Sequence, residues 1–155
     1  MNMTLYQMDV KSAFLNEIIS EEVYVKQSPG FESDAFPEDV FKLNKALYGL
    51  KQAPHAWYEK LSSFLMENGF SRGKVDTTLF RKNSQTDFIL VQIYVDDIIF
   101  GATNENLCED FSKLIQTEFE MSMMGELRFF LGLQIKQTNK GVYIIFSITL
   151  KLSYL

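Results

Sequence analysis

The chain reads as an α+β domain, an antiparallel sheet with helices packed on one face. Three observations point there. Short runs rich in β-branched and aromatic residues recur along its 155 residues. Two longer segments carry apolar residues at helical spacing. The elements follow one another as strand, helix, hairpin, helix, strand, an order that suits helices covering one side of a sheet.

The first strand spans roughly residues 4–10 and ends on Asp9. An acid at the end of an apolar strand fits a packed sheet poorly. It calls for water, a hydrogen-bond partner or a metal. Residues 11–20 read as a short helical or irregular turn. Val23-Tyr24-Val25, between Glu22 and Lys26, alternates as a strand. Residues 27–39 form a loop punctuated by Ser28-Pro29-Gly30, Ser33-Asp34 and Pro37-Glu38-Asp39. Val40 to Leu43 resumes as a strand.

Pro54 opens the clearest helix, and Gly69 lies just past its end. Trp57, Leu61, Phe64 and Leu65 form one apolar stripe within it, the mark of core packing. Thr77 to Lys82 reads as a strand that pairs with 88–94. Residues 94–101 make a hairpin whose turn holds Asp96 and Asp97. Asn104 caps a second helix that runs to about Glu118 and buries Leu107, Phe111, Leu114 and Ile115. Gly125 breaks the chain. Arg128 to Ile135 reads as one strand, paired with Gly141 to Phe146 through an Asn139-Lys140-Gly141 turn.

Composition narrows the function classes. The chain is 46% hydrophobic and 14% aromatic, enough for a core and too much for a disordered segment. No apolar run approaches the ~18 residues that span a bilayer, and the N-terminus lacks a signal-peptide pattern. An intracellular location without a membrane partner is expected. One Cys and one His leave too few ligands for a Cys/His zinc site, and the lone Cys108 can form no internal disulfide. A Ser-His-Asp triad would need His55 in a geometry that nothing in the sequence suggests. No Walker-type glycine loop is present.

The net charge of −5 argues against nucleic-acid binding, but it is unevenly spread. Residues 1–41 carry a net −6, residues 42–82 a net +5 and residues 83–155 a net −4. The middle block, with Lys42, Lys45, Lys51, Lys60, Arg72, Lys74, Arg81 and Lys82, suits phosphate contacts. A solvated helix face would look the same.

The acids carry the chemistry. Asp-Asp between strands is usually turn chemistry. A third acid, Asp9, changes that weighting. If the first strand lies beside the 88–101 hairpin, Asp9 and Asp96 end on neighbouring strands and face one edge. Carboxylates so placed hold a pair of Mg²⁺ ions roughly 3.5–4 Å apart for in-line phosphoryl transfer. Mg²⁺ keeps several waters, so few carboxylates suffice.

Four segments sharpen this. Gln7-Met8-Asp9-Val10-Lys11-Ser12-Ala13-Phe14-Leu15-Asn16 resembles the first catalytic motif of copia-type LTR retrotransposon reverse transcriptases. Leu47-Tyr48-Gly49-Leu50-Lys51-Gln52-Ala53-Pro54, with Trp57-Tyr58, resembles the signature that follows. Tyr94-Val95-Asp96-Asp97 is similar to the catalytic hairpin, and Leu127-Arg128-Phe129-Phe130-Leu131-Gly132-Leu133 to the segment at the primer terminus. The match runs from about residue 5 to residue 143 in family order.

The resemblance implies an RNA-directed DNA polymerase that adds dNTPs to a primer 3′ end on an RNA or DNA template. It implies a palm-like antiparallel sheet with part of a fingers region and no thumb over residues 1–143. Asp9, Asp96 and Asp97 would be catalytic, holding two Mg²⁺ (or Mn²⁺) ions with the Val10 carbonyl. Phe14, Tyr48, Gly49 and Lys51 would border the nucleotide. Tyr94, Phe130, Leu131 and Gly132 would support primer and template. Core packing is the other reading of Phe14, and a two-faced strand that of Phe129 and Phe130. Other parts of a retrotransposon polyprotein would be partners, in a cytoplasmic virus-like particle.

Departures from the family pattern carry their own expectations. Glu17 stands where the family has glycine, and Ser28 where it often has proline. Residues 144–155 form a divergent apolar tail. The family's remaining fingers, its thumb and its RNase H domain are expected outside this stretch, which would impair polymerisation. The competing reading is an inactive retrotransposon relic that serves as a folded interaction module. A nucleotidyl cyclase would share two metal-binding acids but does not explain Leu47 to Pro54.

Overall fold

The computed structural model describes residues 2–11, 18–45 and 52–145, and of 18–23, 43–45 and 52–54 only the backbone. The chain runs β1 (Leu5–Asp9), β2 (Ile18–Lys26), β3 (Val40–Lys45), α1 (Gln52–Glu67), β4 (Ser71–Arg72), β5 (Leu79–Ser84), β6 (Asp87–Tyr94) and β7 (Asp97–Ala102). It continues through α2 (Glu105–Glu118), β8 (Gly125–Glu126), β9 (Phe129–Phe130), β10 (Leu133–Thr138) and β11 (Gly141–Ile145). The main sheet has the order β4-β5-β6-β7-β1-β8, and all its neighbours are antiparallel. Smaller sheets are β11-β10-β9 and β2-β3. The α+β expectation holds.

Strand alternation decides which side is dry. On β6, Ile89, Val91 and Ile93 are buried, while Leu90, Gln92 and Tyr94 are more open. Met8 on β1 and Ile98 and Phe100 on β7 join the buried face. Trp57, Leu61 and Leu65 of α1 and Cys108, Phe111 and Ile115 of α2 complete the same core. Both helices therefore cover one face of the sheet. Each fully buried Leu or Ile contributes roughly 1.5–3 kcal/mol there.

Local chemistry sets the boundaries. Gly69 takes φ +87° after α1. Its N–H bonds to the Met66 carbonyl and that of Phe70 to the Leu65 carbonyl, a closing pattern that needs a left-handed residue. The Asn104 side chain accepts from the Asn106 N–H at 3.0 Å and starts α2 where expected.

Some expectations change. β2 begins at Ile18, inside the segment read as a turn, and residues 12–17 lie outside the described part. β5 starts at Leu79 because Asp76 accepts from Thr78 N–H and Oγ1 in a tight turn. Arg128 to Ile135 is not one strand. Leu131 and Gly132 take φ +51° and +75°, and Phe130 pairs with Leu133 across them. Two consecutive left-handed residues make a hairpin turn, which Leu at the first place conceals. β11 follows the expected Gly141 to Phe146 strand as far as Ile145, and residues 146–155 lie outside the described part. No helix among the described residues is long and apolar enough to cross a membrane.

Candidate active site

The central strands bring the acids together. β1 pairs with β7 so that Asp9 faces Asp97. The Val10 N–H donates to the Asp96 carbonyl at 3.1 Å. The next pair along, Asp9 and Asp97, therefore has no direct backbone bond, and such pairs bring side chains closest, with Cα atoms about 4.5 Å apart. On the other side of β1, the Asp9 N–H donates to Ser122 Oγ at 2.8 Å and the Asp9 carbonyl accepts from the Ser122 N–H at 2.9 Å. The strand end is thus clamped from both flanks.

Asp96 occupies the two-residue turn between β6 and β7. The acid directly across from Asp9 is Asp97, one residue along from the Asp96 partner that the sequence suggested. Asp97 lies partly buried, and the Gln7 amide donates to its Oδ1 at 3.2 Å. Burial, the adjoining carboxyl of Asp9 and the charges of Asp9 and Asp96 push the Asp97 carboxyl up to about 6, with the Gln7 hydrogen bond pulling the other way. Among the described residues no cation forms an ion pair with these three acids. Like charges facing each other across strands repel.

The turn is strained. Val95 takes φ +52°, a conformation that a β-branched residue resists at a cost of about 1–3 kcal/mol. Trp57 of α1 reaches it from the core. Its indole N–H donates to the Val95 carbonyl at 2.7 Å, and its ring stands edge-on to Phe119 at 5.2 Å.

Beside the acids, Tyr94 at the end of β6 meets Phe130 of β9, ring centres 5.2 Å apart. Leu131 and Gly132 form the exposed turn beyond. The residues expected at the primer terminus are thus gathered next to the acids. Phe129 is exposed and Phe130 half-buried, one on each side of β9. Gln137 ties this small sheet to β1: its amide donates to the Leu5 carbonyl at 2.9 Å and its carbonyl accepts from the Leu5 N–H at 2.8 Å. Phe14, Tyr48, Gly49 and Lys51 lie outside the described residues. His55 is exposed and stands 3.8 Å from Glu59, one turn along its own helix.

A divalent metal can be tested against this donor set. All donors are hard carboxylate oxygens, which suits Mg²⁺ or Mn²⁺ rather than zinc. Among the described residues no three or more Asp, Glu, His or Cys side chains are grouped so that together they could hold a metal ion, Asp9, Asp96 and Asp97 included. Mg²⁺ needs only one or two carboxylates and keeps its own waters, so the opposed Asp9–Asp97 pair is a donor set it could accept. Among the described residues no backbone N–H bonds to the Val10 carbonyl.

Sequence reading missed three supporting groups. Gln7 lies two residues before Asp9, and strand alternation alone puts it on the same face. Trp57 showed only its core role. Ser122 gave no signal, because its part depends on a pairing between distant segments.

Comparison with known proteins places the chain. The family model described as reverse transcriptase (RNA-dependent DNA polymerase) matches residues 1–150. The Retrovirus-related Pol polyprotein from transposon RE1 of Arabidopsis thaliana is 37% identical over 138 residues, 89% of this chain and 9% of that protein. The corresponding polyprotein from transposon TNT 1-94 of Nicotiana tabacum is 35% identical over 147 residues, 93% of this chain and 11% of its own length. A transposon Ty5-1 protein of Saccharomyces cerevisiae is 35% identical over 134 residues, 86% of this chain and 44% of its own length. The chain spans about a tenth of the plant relatives and less than half of the yeast one. No solved structure matches it. With its acid-bearing hairpin beside β1 and a family match along nearly its whole length, the chain belongs to the reverse transcriptase (RNA-dependent DNA polymerase) family, among the copia-type retrotransposon members.

Proposed function

We propose that this chain carries the nucleotidyl-transfer centre of an RNA-directed DNA polymerase, with the main sheet as its palm and the β2–β3 hairpin as part of its fingers. The observation that carries the reading is the opposed Asp9–Asp97 pair, with Asp96 in the adjoining strained turn. Asp9, Asp96 and Asp97, with the Val10 carbonyl, would hold two Mg²⁺ ions. When bound, these ions activate the primer 3′-hydroxyl and stabilise the leaving pyrophosphate.

The protein's own groups do the positioning. Gln7 fixes one Asp97 oxygen and so orients the other. The raised Asp97 carboxyl sheds its proton near pH 6, which readies the site for cations at neutral pH. Tyr94 and Phe130 offer an aromatic corner to the last primer base, with Leu131 and Gly132 along its backbone. Phe14, Tyr48, Gly49 and Lys51 are assigned to the dNTP by their motifs alone. Other parts of a retrotransposon polyprotein would supply the remaining grip on the duplex, inside the cell.

The test is primer extension on a primed RNA template with purified chain. Mg²⁺-dependent dNTP incorporation is expected, reduced on the order of 10²–10³-fold by Asp96→Asn. A chain that folds and melts cooperatively but incorporates nothing would instead support the relic reading.

A further inference from the structure

The turn that carries Asp96 holds a conformation its own sequence disfavours, and something outside the turn must keep it there. Val95 is β-branched and takes φ +52°, where an extended or right-handed backbone would be easier. Strain of this kind persists only when surrounding structure over-determines it. One contact does so visibly. The Trp57 indole N–H, from a side chain 1% exposed, donates to the Val95 carbonyl at 2.7 Å. Trp57 is in turn fixed edge-on against Phe119, which also stands edge-on to Phe64 of the same helix.

We propose that Trp57 is a positioning residue, whose indole N–H locks the Val95 carbonyl and so holds the strained turn that carries Asp96 next to the Asp9–Asp97 pair. Val95 precedes Asp96, so the direction of its carbonyl also fixes the peptide plane leading into Asp96. Released from Trp57, the Val95 peptide can rotate and carry Asp96 away from the other two acids. A buried indole N–H commonly has some partner. What distinguishes this one is that its partner is the strained residue itself. The assignment rests on the proposed role of the three acids, and its test reads the turn separately from that role.

Trp57→Phe deletes the N–H and keeps an aromatic ring in the core. Three readouts are taken on the whole chain. Amide hydrogen exchange at Asp96 and Asp97 is expected to quicken about tenfold, the scale of one lost hydrogen bond. Mn²⁺ affinity, followed by titration, is expected to weaken by a similar factor, about tenfold. In primer extension kcat falls while KM for dNTP stays within about twofold, because the lost interaction positions the acids rather than the substrate. The double variant Trp57→Phe with Val95→Gly should recover Mn²⁺ binding, since glycine adopts positive φ without strain. Unchanged exchange at Asp96 and Asp97 in Trp57→Phe would overturn the proposal. So would a loss of Mn²⁺ affinity that Val95→Gly fails to restore, because that would place the defect in core packing. If the unaltered chain itself binds no Mn²⁺, the assignment of the acids fails, and amide exchange still decides whether Trp57 braces the turn.

Discussion

Asp97 feels opposite pulls, and its titration makes them measurable. Its carboxyl sits at about 6 in the folded chain against an ordinary 3.8, raised first by burial and then by Asp9. Between those values the folded state holds a proton that the unfolded state has lost. Stability of the metal-free protein therefore falls as pH rises from about 4 to about 6, and this contribution is level above that. Urea unfolding at pH 4.5 and pH 7 should show the slope, and Asp97→Asn should remove it and raise stability at pH 7 by up to about 1 kcal/mol. Identical pH profiles for the two proteins would contradict the repulsion. Cation binding runs the other way, because the proton must leave first. Below pH 6, Mg²⁺ affinity should drop about tenfold per unit. At this scale the neighbourhood of Asp9 and the Asp96-Asp97 hairpin was legible, because each stands beside apolar strand residues. Their pairing was not. Whether Asp9 faces Asp96 or Asp97 is a matter of one residue of register, which is set by the whole β1–β7 ladder.

At the scale of elements, the apolar stripes proved the most legible. Trp57, Leu61 and Leu65 are buried where the helical period put them, and Asn104 starts α2. Hairpins were read wherever a turn residue announced them, as at Asn139-Lys140. The Leu131-Gly132 turn was missed because leucine gives no such notice, and its conformation is fixed by β9 pairing with β10. Two substitutions separate the energetic contributions of core and cap. Leu61→Ala removes a fully buried side chain and should cost about 2–5 kcal/mol. Asn104→Ala removes one capping bond and should cost only about 1 kcal/mol. Chemical denaturation of both variants checks the ordering, and equal losses would mean that the Asn104 cap contributes as much as a fully buried leucine of the core. Gly101 is a third case. A Cβ there would come within 2.9 Å of Leu5 Cδ2 and 3.0 Å of the Thr4 carbonyl. The leucine end can yield but the Thr4 backbone yields less easily, so Gly101→Ala should cost about 1–3 kcal/mol by prising β1 from β7.

Among the described residues, two helices seal one side of the main sheet, while the small sheet of β9, β10 and β11 ends on an apolar strand. β11 is the outer strand of its small sheet, and Val142, Tyr143, Ile144 and Ile145 are all exposed on it. A long apolar edge offers unpaired backbone groups to another chain, which proteins normally blunt with charge, proline or a bulge. Among the described residues β11 carries none of these. The purified chain should therefore self-associate as its concentration rises, through this edge. Tyr143 pairs across strands with Lys136, so Tyr143→Glu places a charge on the edge and gives it an opposite partner, which favours the pairing within the chain. Sedimentation should show the variant as a monomer at concentrations where the unaltered chain forms larger species, with little change in melting temperature. Equal self-association in both would move the contact elsewhere, and the exposed aromatics of the β2–β3 hairpin and its loop, Tyr24, Phe31, Phe36 and Phe41, would be the next surface to charge.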